Sequence, residues 1–244
     1  MHSSLSKKTI IGAFAAIGVL VVAILVLLYR IPAVQGIGNK VKLPLFHGAS
    51  TWVDLMLFTL MGVAALVYLV RPRDRVYAWE FGFRAVAAPL WAINSVLGFI
   101  AALSTWDFSG SKESPLVIIP QDPRLSAQIV LLLGVVIVIA LDWLVFERRR
   151  YKALADLVFV VLMWVLLANV FLDPVKRALH PDSPVLNSGW EIRGPFFGIV
   201  AAIFAATLIV SWLVSTTVKP TDLRPEPPDE ATKPEEPATA LQGP

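Results

Sequence analysis

Six stretches of the chain are apolar over roughly 20 residues each, which is the length that an α-helix needs to cross the hydrocarbon of a bilayer. They cover residues 9–28, 51–70, 85–103, 125–146, 153–172 and 195–218. None alternates with the period of two that a strand of a membrane barrel would show, so we predict helices. A hydrophobic fraction of 57% and a mean hydropathy of +0.70 exclude a soluble domain of this length. We therefore predict an all-α, polytopic membrane protein with six transmembrane helices within residues 1–218.

The last part of the chain, residues 219–244, differs in kind. It is rich in Pro, Glu and Thr and has little apolar surface to bury, so we predict a disordered tail. The chain has no cysteine, which excludes disulfides and thiolate metal sites. It also lacks a glycine-rich phosphate loop and an HExxH motif. Its basic residues form short clusters between apolar runs, so nothing indicates nucleic-acid binding.

The basic clusters predict an orientation. Lys7 and Lys8, the segment "RPRDR" after the second run, and "ERRRYK" after the fourth run fall on one side if six helices alternate in direction. Basic loops of bacterial and other membrane proteins stay in the cytoplasm. We therefore predict that both termini and the tail are cytoplasmic, in a multi-pass protein of the plasma (inner) membrane.

Two of the three histidines, His47 and His180, fall on the same predicted outer side, each beside a helix end. One interpretation is that they are interfacial histidines without a function. Another is that two neutral imidazoles occupy the axial positions of a haem iron. Copper or zinc is a further alternative, although two ligands alone make an incomplete zinc site. Lys42 and Arg124 lie on the same side and could pair with haem propionates, or could be ordinary interfacial cations.

Other polar residues in the apolar runs have less specific interpretations. Asp54 follows His47 by seven residues and therefore lies on the same helix face, where it could orient the imidazole or pack as a satisfied polar group. Asn94 is of the type that hydrogen-bonds between membrane helices. Asp142 and Asp156 lie near the predicted cytoplasmic boundary, where we expect them to be hydrated.

Three segments resemble the CcmC family, the haem-handling membrane proteins of cytochrome c maturation. They are "LFHGASTW", the loop end "QDPRLSAQIVLLL", and "ALHPDSP" before the last run, and the likeness extends over residues 43–214 with matching order of the helices. The resemblance implies six helices and two haem-ligating histidines on the outer face, at His47 and His180. It also places Lys42 and Arg124 at basic positions near the haem.

The loop between the third and fourth runs departs from that family. The family has a tryptophan-rich loop that ends in Trp-Asp and forms an aromatic platform for the haem. The resemblance implies that Trp106 and Asp122 are haem-binding residues of this loop, but most of the tryptophans between them are missing and Gln121 precedes the aspartate. The aliphatic stretch "PLVIIP" could serve as the apolar floor in place of the missing aromatic residues.

The resemblance implies a haem-binding protein of cytochrome c biogenesis rather than a conventional enzyme. It would hold a non-covalent b-type haem at the outer membrane face and present it to a partner. The implied partners are other membrane components of cytochrome c maturation and a periplasmic haem chaperone. The alternative is a non-catalytic membrane subunit or scaffold of a larger complex that binds no haem.

Overall fold

The computed structural model describes residues 5–173, 185 and 188–218. Within these residues the fold is helical and contains no β-strand, apart from an isolated bridge between Val34 and Gly38. The long helices are α1 (Lys7–Arg30), α2 (Lys42–Val70), α3 (Asp74–Thr105), α5 (Pro123–Leu144), α6 (Arg149–Leu172) and α7 (Trp190–Thr217). A four-residue helix, α4 (Pro115–Ile118), lies in the loop between α3 and α5, and 3₁₀ turns cover Asn39–Val41 and Ile119–Gln121.

The six long helices of the described residues are each long and apolar enough to cross a membrane, which confirms the predicted number of helices and the all-α class. All six begin earlier than the predicted apolar runs, and α2 and α3 differ the most, by 9 and 11 residues. Helix α2 begins at Lys42, because Pro44 lies in its first turn, where a missing backbone N–H costs no helical hydrogen bond. Helix α3 begins at Asp74. The sequence did not predict this start, because the first turns of the helix carry charged residues that lower the local hydropathy.

The earlier start of α2 corrects the predicted position of His47. The sequence placed this residue just ahead of a helix, whereas the structure places it inside α2, in the second turn. Its side chain is half-buried and faces the neighbouring helix rather than a loop. The contacts of His47 are therefore contacts between helices.

Helix α2 forms the centre of the bundle and packs against α3, α6 and α7. Its buried face meets an aromatic cluster in which the Phe58 ring lies edge-on to Trp91 at 6.0 Å and to Phe159 at 5.2 Å between centroids. The Trp91 indole N–H donates to the backbone oxygen of Gln128 at 3.2 Å. This cluster fills the middle of the bundle with large side chains from three helices. Helix α1 packs mainly on α7 and is otherwise exposed.

The helices alternate in direction, so the bundle has two distinct ends. We call the end that carries residues 71–75 and 148–152 the basic end, and the opposite one the His47 end. Helix α1 ends at the His47 end, where Lys42 contacts the backbone oxygen of Tyr29. Helix α7 ends at the basic end, where Val218 and Tyr77 line the same cleft. The described chain therefore begins and ends at the basic end, while the compartment that this end faces stays a prediction. The predicted disorder of residues 219–244 lies outside the described residues.

Candidate functional site

His47 is held at the interface between α2 and α3. Its Nδ1 lies 2.9 Å from the side-chain amide of Asn94, which comes from α3. Asn94 is fully buried and also contacts the hydroxyl of Thr51, one turn after His47 on α2, at 2.9 Å. The prediction that Asn94 hydrogen-bonds between helices is thus confirmed.

The surroundings of the Asn94 amide determine which way it faces. With its nitrogen toward His47, the amide donates to the backbone oxygen of His47 (3.2 Å) and to Nδ1 (2.9 Å). Its oxygen then accepts from the backbone N–H (3.1 Å) and hydroxyl (2.9 Å) of Thr51. The reverse orientation would set oxygen against oxygen and N–H against N–H, so we assign the first. In a neutral His47 the proton then lies on Nε2, because Nδ1 accepts.

A glycine on α3 makes room for the imidazole. A Cβ atom added at Gly98 would lie 2.6 Å from Cε1 and 3.0 Å from Nε2 of His47, and 3.1 Å from Oε1 of Gln128. These are distances that real Cβ atoms rarely or never show, so any larger residue would displace the ring. The edge of the ring that carries Nε2 therefore faces α3 and α5.

Lys42 and Arg124, the predicted basic residues, both lie at the His47 end. The ammonium group of Lys42 lies 5.6 Å from the centroid of the Tyr29 ring and 3.4 Å from the backbone oxygen of the same residue. The guanidinium of Arg124 lies 5.3 Å from the centroid of the Phe171 ring. Both cations thus rest on aromatic side chains at the rim of the bundle.

Trp106 and Asp122 frame the loop between α3 and α5. Trp106 is the residue at which α3 ends, and its ring packs on Phe108 with centroids 6.3 Å apart. Asp122 is buried and caps α5, accepting from the backbone N–H groups of Arg124 (2.9 Å) and Leu125 (3.1 Å). These two hydrogen bonds give Asp122 a structural role as the residue that caps the start of α5.

The exposed residue next to Trp106 is also part of a turn. The carboxylate of Asp107 accepts a hydrogen bond from the backbone N–H of Ser109 at 2.9 Å, which holds the pKa of that carboxyl below its usual value. The carboxylate therefore stays ionised over the physiological pH range. It adds a fixed negative charge beside Trp106 at the His47 end.

The second predicted haem ligand, His180, lies outside the described residues, so the pairing of His47 with His180 stays a prediction. Among the described residues, no three His, Cys, Asp or Glu side chains are grouped so as to hold a metal ion. Asp54, two turns along α2 from His47, is fully buried, and its Oδ1 has no hydrogen-bond partner in the described part of the chain.

A second polar cluster, which the sequence analysis missed, lies near the basic end. The guanidinium of Arg84 on α3 bridges Asp142 on α5 and Asp156 on α6, with nitrogen–oxygen distances of 3.1 Å to each. The expectation that Asp142 and Asp156 are hydrated is wrong, because both are buried in this cluster. The spacing of Glu80 and Arg84 could have revealed this cluster. The two residues are four apart, so they lie on one face of α3, the face that later in the helix carries buried apolar residues.

A cleft of about 460 Å³ opens on the basic end beside this cluster. Its lining combines aromatic, acidic and basic residues: Tyr77, Phe81, Arg84, Asp142, Arg149 and Lys152 are among them. The ammonium group of Lys152 lies 3.1 Å from Oδ1 of Asp142, and Arg149 contacts Asp74 at 3.4 Å. The cleft thus connects the buried ions with the surface.

Comparison of the chain with models of known protein families found no match, and neither did a search of curated proteins. The resemblance to the CcmC family therefore rests on the sequence segments quoted above.

Proposed function

We propose that this chain is a haem-handling protein of cytochrome c biogenesis, which holds a non-covalent haem at the outer face of the plasma membrane and presents it to a partner. The observation that supports the proposal best is the contact between His47 and Asn94. Histidines that ligate metals commonly have the second ring nitrogen held by a neighbouring group, which sets the orientation of the ring. Few other groups of the described chain are suited to ligate iron, since cysteine is absent.

Ligation by Nε2 requires a rearrangement of the imidazole. Nε2 now faces Gly98 and carries the proton of the neutral ring, whereas a nitrogen that ligates iron must present its lone pair. Rotation of the Asn94 amide by half a turn would let its oxygen accept from Nδ1, which moves the proton away from Nε2. A change in the side-chain torsions of His47 must then turn Nε2 away from α3. The proposal therefore includes a local movement of His47 upon haem binding.

The surroundings of His47 supply the remaining features that a porphyrin would need. Leu116 and Val117 on α4 are 64% and 50% exposed, and they offer an apolar surface at the His47 end. Lys42 and Arg124 could each pair with a propionate there. His180 would be the second residue that holds the iron. The protein would supply ligation and orientation, and a periplasmic haem chaperone and other maturation components would be its partners.

Haem titration of the purified, lipid-reconstituted chain tests this proposal. We expect one haem per chain, with the low-spin spectrum of two imidazoles. His47→Ala and His180→Ala should each convert the iron to high spin or reduce binding by at least tenfold. His2→Ala is the matched control and should leave the spectrum unchanged. Retention of the wild-type spectrum in the double variant His47→Ala/His180→Ala would contradict the assignment of the ligands.

The second candidate function is a membrane subunit or scaffold that binds no haem. One specific observation favours it: the edge of the His47 ring that carries Nε2 is already packed against Gly98, as in a structural core histidine. On this alternative His47→Asn keeps the chain folded but lowers its stability, because an interhelical contact is lost. A chain that takes up no haem from haem-replete cells and shows this loss would favour the scaffold.

A further inference from the structure

Three carboxyl groups and one guanidinium are buried together where α3, α5 and α6 meet. Glu80 and Asp156 are 1% and 0% exposed, and Arg84 and Asp142 are also buried. Arg84 contacts both aspartates at 3.1 Å, as described above. Ionisable groups at such depth in a membrane helix are costly and commonly serve a function.

The ion pairs of the cluster leave one carboxyl group without a cation. Arg84 pairs with two aspartates, and Lys152 contacts the second oxygen of Asp142. Both carboxyl oxygens of Glu80 are buried and have no hydrogen-bond partner among the described residues when every carboxyl is counted as ionised. Within the described residues the cluster therefore contains three acids, Glu80, Asp142 and Asp156, against two bases, Arg84 and Lys152.

The carboxyl group of Glu80 lies within hydrogen-bonding reach of that of Asp156. Two ionised carboxylates both only accept, so they repel each other and form no hydrogen bond. One proton between them turns the contact into a hydrogen bond and also removes the excess negative charge. Closely spaced carboxyl pairs in proteins generally hold one proton for this reason.

A metal cation would be the other way to balance the charge, but the ligands for it are too few. The described residues contain no group of three or more acidic or histidine side chains arranged to hold a metal ion. Sodium and calcium ions need several oxygen ligands at once. A proton needs only the two carboxyl groups that the structure brings together.

We infer that Glu80 and Asp156 form a proton-binding site, which holds one exchangeable proton and is reached from the basic end through the cleft beside Arg84. The inference is independent of haem handling, since the pair lies at the opposite end of the bundle from His47.

The spaces on the two sides of the cluster differ in size. The cleft of about 460 Å³ reaches Arg84 and Asp142 from the basic end. On the other side of Arg84 and Asp156, the void against Phe58 and Phe159 holds only about 10 Å³, which is at the lower limit for a single water molecule. The aromatic cluster of the bundle thus separates the pair from the His47 end.

Charged and polar groups from every neighbouring helix set the properties of the pair. Helix α7 contacts α3 here through the backbone oxygen of Ser211 and the Cβ atom of Ser215, which lie beside Gly82. The titratable and charged groups around the pair come from four helices: Tyr68 (α2), Asp74, Tyr77 and Arg84 (α3), Asp142 (α5), and Arg149 and Lys152 (α6). Two guanidinium groups among them are buried: that of Arg84 is shared by two aspartates, and that of Arg149 contacts Asp74. Glu80 is therefore left without an ion pair in these contacts.

Infrared spectroscopy of the full chain in lipid nanodiscs tests the inference directly. A protonated carboxyl group has a carbonyl stretch that a carboxylate lacks, and the band shifts when deuterium replaces the proton. We expect Glu80→Gln to remove one carboxyl equivalent from this band. Glu147→Gln is the matched control, because Glu147 is an exposed acid on the rim of the same cleft. An unchanged band in Glu80→Gln would overturn the inference.

Stability provides the second measurement. Glutamine has the shape of a protonated glutamate and can donate a hydrogen bond to Asp156, so Glu80→Gln should fold and unfold like the wild type. Failure of this variant to fold would mean that the ionised carboxylate is needed, which would also overturn the inference. An increase in wild-type stability on adding Na⁺ at constant ionic strength, absent in Glu80→Gln, would replace the proton with a sodium ion.

The rate of deuterium uptake tests the route. A bulky residue at the mouth of the cleft, as in Thr217→Trp, should slow the shift of the carboxyl band by at least severalfold, since Thr217 lines the cleft. His47→Ala should leave the rate unchanged because it lies at the other end. Equal slowing by both variants would contradict entry from the basic end.

Discussion

Replacing Gly82 by alanine tests a close contact between α3 and α7. A Cβ atom at this position of α3 would lie 2.5 Å from the backbone oxygen of Ser211 on α7. An ordinary contact begins at 3.4 Å, so the two helices must separate by about 0.9 Å. The obstacle is backbone, which cannot move aside as a flexible side chain can. Close approach of backbones at small residues is a common way for membrane helices to associate.

The expected cost follows from that separation. A gap of 0.5–1 Å forfeits roughly a quarter to a half of the dispersion energy of each contact across the interface. Overpacking of this kind typically costs about 1–3 kcal/mol. Alanine also gains about 1 kcal/mol over glycine in a helix interior, which partly masks the loss. Gly12→Ala on α1 isolates the helix term, because nothing lies within 4 Å of its added Cβ.

The assay is unfolding of the purified chain by SDS in mixed micelles, followed by the fluorescence of its eight tryptophans. We expect the free energy of unfolding of Gly82→Ala to lie about 1–3 kcal/mol below that of Gly12→Ala, since the helix terms cancel in this comparison. Values for the two variants within about 0.5 kcal/mol of each other, the usual range for surface substitutions, would refute the argument and mean that α3 and α7 adjust without cost.

Two further predictions concern the topology and the buried ions. The chain has no native cysteine, so a cysteine at Ser111 should react with an impermeant thiol reagent in intact cells while one at Glu147 should not, and the opposite pattern would invert the predicted orientation. Arg84→Met should lower the free energy of unfolding by about 3–5 kcal/mol at neutral pH, because Asp142 and Asp156 lose a buried cation. A loss below about 1 kcal/mol in the SDS assay would show that these carboxyl groups reach water without Arg84.

Much of the fold follows from local sequence. A run of about 20 apolar residues must form a helix to satisfy its backbone in a bilayer, whatever its neighbours are. The six helices and their alternation, which returns the end of α7 to the end where α1 begins, could therefore be predicted. The starts of α2 and α3 could not, because Pro44 and the charged residues Glu80 and Arg84 interrupt the apolar pattern without interrupting the helix.

The candidate sites depended on contacts between distant parts of the chain. The sequence alone singled out His47 by its rarity and position, but only the packing of α2 on α3 decided that its ring faces Gly98 and contacts Asn94. The pairing of Glu80 with Asp156 likewise joins residues from different helices. The hydropathy of each apolar run is a property of that run alone, so it cannot predict such a contact. A single sequence therefore determined which segments form helices, whereas the tertiary structure decided which polar side chains meet, because burial and charge pairing arise only where separate helices pack together.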